Sequence, residues 1–254
     1  MKRAKTLLVS VLLAASVLGA TAQGALAYRA DVWSNSNSFS SRCLGFTDTY
    51  PQQLYSLARS QMIALGYSPV GGAVGSSFTR SAFISGVLPD WGVYVHTHGD
   101  NYWASSGYPN IDSAVLQDPG TSRCSVFSTD AIRSSTIKSA TAGAPYNLVI
   151  MSTCRLGSSS STMPGAFQIE KVKNSTQREF YLGYVNLTYD SAQLRFEQAF
   201  WSYLNATDTF LGIRRSVYEA FTYATGIGGY AAPDSGNPFQ ANWWGNPNYN
   251  GTPG

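Results

Sequence analysis

Charged residues are scarce in this sequence. Lys, Arg, Asp and Glu make up 12% of its 254 residues, while hydrophobic residues make up 44%. A soluble domain usually has ~25% charged residues, and a disordered chain combines high net charge with low hydrophobicity. The shortage of Glu and Lys excludes a long coiled coil, and the absence of a three-residue glycine period excludes collagen. The composition therefore predicts a folded domain with a surface rich in Ser, Thr, Asn and Tyr.

Acidic residues are missing altogether from residues 1–27, which have the pattern of an export leader. Three cations in the first five residues precede an apolar run over residues 6–20. Residues 25–27 (Ala-Leu-Ala) form a small-residue cleavage site, so we expect cleavage before Tyr28, or alternatively after Ala22. An uncleaved membrane anchor is the other interpretation, but the apolar run is shorter than the ~18 residues of a span. We expect a secreted, extracellular protein that does not associate with a membrane after cleavage.

Net charge is also missing once the leader is set aside. The leader holds three of the 17 cations and none of the 14 acids, so the remaining chain is formally neutral. A neutral chain lacks the basic surface that nucleic acid or anionic lipid would require, and neither is an expected partner. Residues 28–225 are long enough for one α/β domain, and we expect a monomer. Residues 226–254, rich in Gly, Asn, Pro and aromatics, are predicted to be an irregular tail.

Histidine occurs only twice, as His96 and His98 in the run HTHGD. A catalytic zinc site takes three protein ligands, so a metal site here would need both histidines together with a carboxylate or Cys154. We therefore expect no metal and no cofactor.

Cysteine occurs three times, an odd number for an exported chain. One disulfide and one free thiol is the simplest partition in an oxidising compartment. Cys43 and Cys124 both lie in loop-like or hairpin regions, so we expect them to pair and to leave Cys154 free. A disulfide that includes Cys154 is the alternative, and it would exclude a catalytic role for that thiol.

Apolar runs alternate with helical patterns along the chain, which predicts a parallel sheet covered by helices on both sides. The fold class is therefore α/β, a three-layer α/β/α sandwich with a mostly parallel sheet. Predicted strands cover residues 30–34, 67–74, 91–97, 146–153 and 179–185, with a hairpin insertion at 111–116 and 124–127. Predicted helices cover residues 51–65, 81–88, 130–139, 163–172, 191–204 and 207–225. No strand is recognisable after residue 225, so the sheet either ends there or is closed by the tail.

Two residues with catalytic chemistry stand at the ends of predicted strands. Functional groups of such sheets lie beyond the carboxyl ends of the strands, and this rule selects His98 with Gly99, and Cys154. A thiol is a poor nucleophile near its free pKa of ~8.5, and an adjacent imidazole favours the thiolate. Gly99 permits close approach of the backbone, so the N–H groups of Gly99 and Cys154 are candidate oxyanion donors.

The paired motif resembles the caspase-like fold of cysteine peptidases, the group that includes caspases, clostripain, gingipains and CHAT-domain proteins. The matching stretches are residues 93–99 (VYVHTHG) and 148–154 (LVIMSTC). The resemblance implies that Cys154 is the nucleophile, that His98 is the base and acid, and that a protein or peptide is hydrolysed without a cofactor. Ser152 stands where the metacaspase branch has Asp, so no specificity-pocket residue is carried over.

The hypothesis includes two further residues, and two other functions are alternatives to it. His96 shares a strand face with His98 and is either a supporting group or the acting imidazole. Asp100 is a candidate to orient His98. The alternative functions are an inactive exported binding module of the same fold, which would use its aromatic loops and tail, and an amide or ester hydrolase that is not a peptidase.

Overall fold

The computed structural model describes residues 28–35, 49–87, 91–100, 112–118, 128–144, 146–208, 212–226 and 240–253. The predicted leader, the predicted Cys43–Cys124 disulfide and the predicted strand 124–127 lie outside these residues, so they remain predictions. Within the described ranges, no helix combines the length and the apolar character needed to cross a bilayer.

Strands and helices alternate along the chain as the sequence pattern predicts. The strands are β1 (Arg29–Ser34), β2 (Ser68–Val74), β3 (Gly92–His96), β4 (Gly99–Asp100), β5 (Ala114–Leu116), β6 (Ala131–Arg133), β7 (Leu148–Ser152), β8 (Phe180–Tyr184) and β9 (Ala241–Gly245). The α-helices are α1 (Tyr50–Leu65), α2 (Arg80–Gly86), α3 (Ser134–Ala140), α4 (Met163–Ala166), α5 (Asp190–Leu204) and α6 (Val217–Gly226). Two 3₁₀ turns cover Gly75–Ser77 and Ser128–Asp130.

The main sheet has six strands in the order β2-β1-β3-β7-β8-β9. Its first five strands are parallel, and β9 pairs antiparallel with β8. Every residue of β3, β7 and β8 is buried, which explains why these strands read as continuous apolar runs rather than alternating ones. The predicted mostly parallel α/β sheet is confirmed.

Helices cover both faces of this sheet and make two separate cores. Side chains of α1, α5 and α6, among them Leu54, Phe200 and Ala220, pack on one face. Phe83 of α2 and Ile137 of α3 pack with other side chains on the opposite face. The arrangement is the predicted three-layer sandwich.

Helix α1 shows how closely local sequence can determine an element. A proline stands in its first turn, where its missing N–H is not needed, and Leu54, Ala58 and Met62 are buried on one face at intervals of four residues. Gly66 ends the helix with φ +101°, and its N–H donates to the Ile63 carbonyl at 2.9 Å. The predicted boundaries, 51–65, are therefore nearly those observed.

Two predicted helices are shorter than expected because the backbone turns within them. The helix predicted for 163–172 ends at Ala166, and Gln168 adopts φ +60° shortly afterwards. The helix predicted for 207–225 begins only at Val217. The chain before it folds back through a bridge between Thr207 and Arg214, with Gly212 at φ +65°.

The predicted hairpin insertion is a small antiparallel sheet with the order β4-β5-β6. Within the described residues, β5 pairs with β4 on one side and with β6, Ala131–Arg133, on the other. The prediction of a helix from residue 130 was wrong at its start, because these residues pair with β5 and the helix begins at Ser134.

The tail supplies the last strand of the main sheet, so the prediction of an irregular tail was wrong for Ala241–Gly245. Trp243 stacks on Phe180 with 5.6 Å between ring centroids, and Trp244 packs on Tyr181 at the same separation. These neighbouring tryptophans lie in opposite cores. Burial of two large rings, one on each face, fixes the tail as an edge strand that closes the sheet.

Candidate active site

The register of β3 and β7 brings the two predicted catalytic residues to the same edge of the sheet. The strands are parallel, and His96 pairs with Ser152 at their carboxyl ends. His98 stands two residues beyond His96, and Cys154 stands two residues beyond Ser152. The two residues therefore follow the carboxyl ends of neighbouring parallel strands.

The strand end that carries His98 is fixed by its flanking residues. The hydroxyl of Thr97 lies 2.8 Å from both the Asn35 side-chain oxygen and the Leu116 carbonyl. The His98 carbonyl accepts from the N–H of Leu116 at 3.0 Å. The chain therefore passes from β3 into β4 at a defined place, with His98 between the two strands.

Cys154 is a free, half-buried thiol, two residues after the end of β7. Its Sγ accepts from the N–H of Thr188 at 3.4 Å and lies 3.7 Å from the Thr188 carbonyl. Burial raises the pKa of this thiol above its ordinary value, although the Thr188 N–H opposes the shift. The resting thiol is therefore protonated and held against the loop between β8 and α5.

A strained backbone follows Cys154. Arg155 adopts φ +62°, a left-handed conformation that costs a non-glycine residue on the order of 1–3 kcal/mol. Its N–H donates to the Asn186 carbonyl at 3.2 Å, and its guanidinium pairs with Asp100 at 3.2 Å. The turn ends β7 abruptly, so that Cys154 lies at the rim of the sheet.

Burial and two neighbouring charged or titratable groups shift the pKa of His98. Burial lowers the pKa of His98, the Asp190 carboxylate raises it in part, and His96 lowers it further. The net shift is downward, so the resting imidazole is neutral near pH 7. A neutral imidazole can accept the proton of the thiol, which is the role of a general base.

Asp190, the first residue of α5, connects the two histidines electrostatically. Its carboxylate lies 3.3 Å from Nε2 of His96. Burial alone would raise the pKa of Asp190, but His96 and His98 together hold it below its ordinary value. Asp190 therefore remains ionised beside both rings.

His96 is a buried ring with a polar partner at each nitrogen. The Ser34 hydroxyl lies 3.0 Å from the Pro51 carbonyl and 3.0 Å from His96 Nδ1. Nε2 faces the Asp190 carboxylate. Both ring nitrogens of His96 are therefore engaged, one toward β1 and the other toward α5.

Gly99 permits the close approach that the sequence predicted. A Cβ at this position would lie 2.9 Å from the Thr153 side chain and 3.1 Å from the Cys154 carbonyl oxygen. The bond between Leu116 N–H and the His98 carbonyl makes Gly99 and Val115 a non-hydrogen-bonded pair of the β4–β5 ladder. The ladder therefore leaves the Gly99 N–H pointing away from β5.

Buried hydroxyl groups form a second cluster beneath the site. Glu197 of α5 is fully buried and accepts from the hydroxyls of Tyr94 and Tyr184, each at 2.8 Å, and from Ser152. These partners belong to β3, β8 and β7, so one carboxyl group ties α5 to the three central strands. Burial raises the pKa of Glu197, although its three hydroxyl donors oppose the shift.

The structure adds residues that sequence reasoning missed. Thr188 lies in the loop that follows β8, and Asp190 is the first residue of α5. Glu197 lies two turns further along α5. The rule that loops at the carboxyl ends of parallel strands converge could have indicated Asp190. Asp100 pairs with Arg155, and its predicted role toward His98 remains a prediction. Among the described residues, no three His, Cys, Asp or Glu side chains are grouped closely enough to bind a metal ion.

Comparison with known proteins supports the fold. No family model and no curated protein matches the chain. Among solved structures it is similar to the Arg-specific cysteine proteinase gingipain R, with a TM-score of 0.53 and 13% sequence identity. The match covers 87% of this chain and 46% of that one, so the chain spans about half the length of gingipain R. The chain therefore has the caspase-like α/β fold that the paired motif predicted.

Proposed function

We propose that this protein is a cysteine peptidase in which Cys154 is the nucleophile and His98 is the general base and acid. The observation that carries the proposal is the register of β3 and β7, which sets His98 and the free thiol of Cys154 two residues beyond a paired His96 and Ser152. The fold that the chain shares with a cysteine proteinase supports the same conclusion.

The reaction begins from an uncharged pair, because burial lowers the pKa of His98 and raises that of Cys154. His98 takes the thiol proton as Sγ attacks the substrate carbonyl carbon. The N–H groups of Gly99 and Cys154 stabilise the resulting oxyanion. His98 then gives the proton to the leaving amine, which leaves a thioester, and water activated by His98 releases the acid product and restores the thiol.

The substrate of this proposal is a protein or peptide, and the reaction requires no metal or cofactor. We further propose that the protein is secreted as a monomer after loss of residues 1–27, with a disulfide between Cys43 and Cys124. The basic, apolar and small-residue pattern of the leader supports export. N-terminal sequencing of the protein from culture medium and a disulfide map test these two statements.

The test of function combines thiol labelling with cleavage of a peptide library read by mass spectrometry. Iodoacetamide is expected to modify Cys154 and to abolish cleavage. Cys154→Ala and His98→Ala are each expected to reduce cleavage by at least ~10²-fold, the lower end for loss of an acid–base group.

Thr188→Val is the matched control beside the thiol. It keeps the backbone groups that contact Sγ and removes a buried hydroxyl that has no hydrogen-bond partner among the described residues. Its cleavage rate should stay within a few-fold of the native rate. Undiminished cleavage by Cys154→Ala would refute the assignment, and labelling of Cys154 without any peptide cleavage would favour the non-peptidase hydrolase.

A further inference from the structure

A wide groove beside α2, α3 and α4 carries an excess of positive charge. Its volume is about 1020 Å³, at the upper end for ligand pockets. Four cations line it, namely Arg80, Arg133, Lys138 and Lys171, together with the carboxylate of Asp112. The described lining therefore has a formal charge of +3, although the chain beyond residue 27 is neutral as a whole.

The single carboxylate of the lining is already engaged. Asp112 accepts from the Ser135 hydroxyl at 2.6 Å, from the Ser135 N–H at 3.2 Å and from the Ser134 hydroxyl. The Ser134 hydroxyl also lies 2.6 Å from that of Thr162, whose oxygen accepts the Ser113 N–H at 3.0 Å. This network joins the start of α3 to the segment before α4 and gives the groove a preformed polar wall.

Lys171 is held in place by backbone groups rather than by an acid. Its Nζ donates to the carbonyls of Ser159 and Ser161, the latter at 3.0 Å. Partial burial lowers the pKa of this ammonium group. A carboxylate ligand in the groove would supply the counter-charge that these two carbonyls do not.

The small sheet connects the groove with the candidate active site. Arg133 pairs with Ala114, which in turn pairs with Asp100, so these three residues form one row across β6, β5 and β4. Two strand spacings separate Arg133 from Asp100, a distance of ~10 Å. Asp100 bonds Arg155, the residue after Cys154. This row of residues therefore links the segment beside Cys154 to the lining of the groove.

We propose that this groove binds an acidic segment of a polypeptide, a run of Asp or Glu side chains. This second statement rests on the proposed function: the acidic segment is the part of the substrate that lies to one side of the scissile bond. The positive lining, the preformed polar wall and the link to the segment beside Cys154 together favour a peptide over an isolated anion.

The test measures binding without catalysis. Full-length Cys154→Ala protein is titrated against a fluorescein-labelled peptide of eight glutamates, with a peptide of eight glutamines as the neutral control, and fluorescence anisotropy is recorded. Only the glutamate peptide should bind, and its affinity should fall as salt is raised. The pair Arg80→Gln and Lys138→Gln should weaken binding at least tenfold. The pair Arg59→Gln and Arg178→Gln, which removes the same charge outside the groove lining, should change it less than twofold.

The outcomes separate this proposal from the proposed function. The proposal would be overturned if the glutamate peptide did not bind, or if both pairs of substitutions weakened its binding equally. It would also be overturned if the groove bound inorganic tripolyphosphate but not the glutamate peptide. Binding of the glutamate peptide by a protein that cleaves no peptide would retain the groove and remove the peptidase. In an active enzyme, the groove substitutions should raise KM for library peptides with acidic flanks and leave kcat unchanged.

Discussion

Asp190 is the residue whose charge acts on both members of the proposed dyad. Its carboxylate raises the pKa of His98 and also that of Cys154, in each case after the larger effect of burial. The acid limb of kcat/KM reports the protonation of His98, since the base must be neutral to accept the thiol proton. Because burial lowers the pKa of His98, this limb should lie below the ordinary histidine value of 6.5.

Asp190→Asn should move the acid limb to still lower pH, because it removes the charge that partly offsets the downward shift of the His98 pKa. The measurement is kcat/KM between pH 4 and pH 8 on one peptide. Asp208→Asn is the control, since Asp208 pairs with Arg215 and is not among the groups that shift the pKa of His98 or Cys154. A limb that moves upward in Asp190→Asn, or equally in both variants, would contradict this account of His98.

At position 99, the addition of a single Cβ atom is expected to reduce the rate of catalysis. A Cβ would meet the Thr153 side chain at 2.9 Å and displace the Gly99 N–H from the proposed oxyanion position. Loss of one oxyanion donor reduces kcat by ~10²–10³-fold, so Gly99→Ala should lose activity on that order with little change in thiol labelling. Gly226→Ala, where a Cβ would have no atom of the described residues within 4 Å, should keep its kcat. Native activity in Gly99→Ala would remove this N–H from the mechanism.

At the level of elements, α5 is held to the sheet by the fully buried carboxyl of Glu197. Its hydroxyl partners come from the three central strands, and Asp190 stands seven residues earlier, two turns along the same helix face. The position of Asp190 beside the histidines therefore depends on an anchor that sequence periodicity does not indicate, because Glu197 looks like an exposed residue of an amphipathic helix.

The raised pKa of Glu197 gives this anchor a defined pH dependence. A folded-state pKa above the ordinary 4.5 means that the stabilising contribution is present below pH 4.5 and is lost as pH rises through the folded-state value. Stability of the native protein relative to Glu197→Gln should therefore decline from pH 4.5 upward. Urea unfolding of both proteins across pH 4–8 measures this difference. If the difference in free energy of unfolding between the two proteins stayed constant or rose with pH, the folded-state pKa of Glu197 would not be raised.

For the whole molecule, the sequence predicts what depends on contiguous residues and misses what depends on distant ones. The strands that present His98 and Cys154 are continuous apolar runs, so their ends could be located and their shared edge inferred. Thr188 and Asp190 join the site from a loop more than 30 residues after Cys154, and no local pattern marks them. Residues 207–214 have helical composition, yet the bridge between Thr207 and Arg214 folds them differently.

The tail was the largest difference, and its strand is also tied to the beginning of the fold. The Tyr249 hydroxyl lies 2.9 Å from that of Tyr67, just after α1, and Pro253 lies against Gly66. Trp243 and Trp244 are each 5% exposed, one in each core. The final residues therefore close the sheet and fasten it to the first helix.

Each of these tryptophans should contribute on the scale of a large buried side chain. Trp244→Ala should lower the free energy of unfolding by about 3–5 kcal/mol, a large share of the ~5–15 kcal/mol that holds a domain together. A chain that ends at residue 239 loses both rings and the Tyr249 contact, so it should lack a cooperative thermal transition in near-UV circular dichroism. Asn248→Ala, at an exposed position, should unfold as the native protein does. A truncated chain with a native-like transition would show that β9 is an accessory strand, because the remaining five parallel strands and their two helix layers would then suffice to hold His98 and Cys154 at one edge.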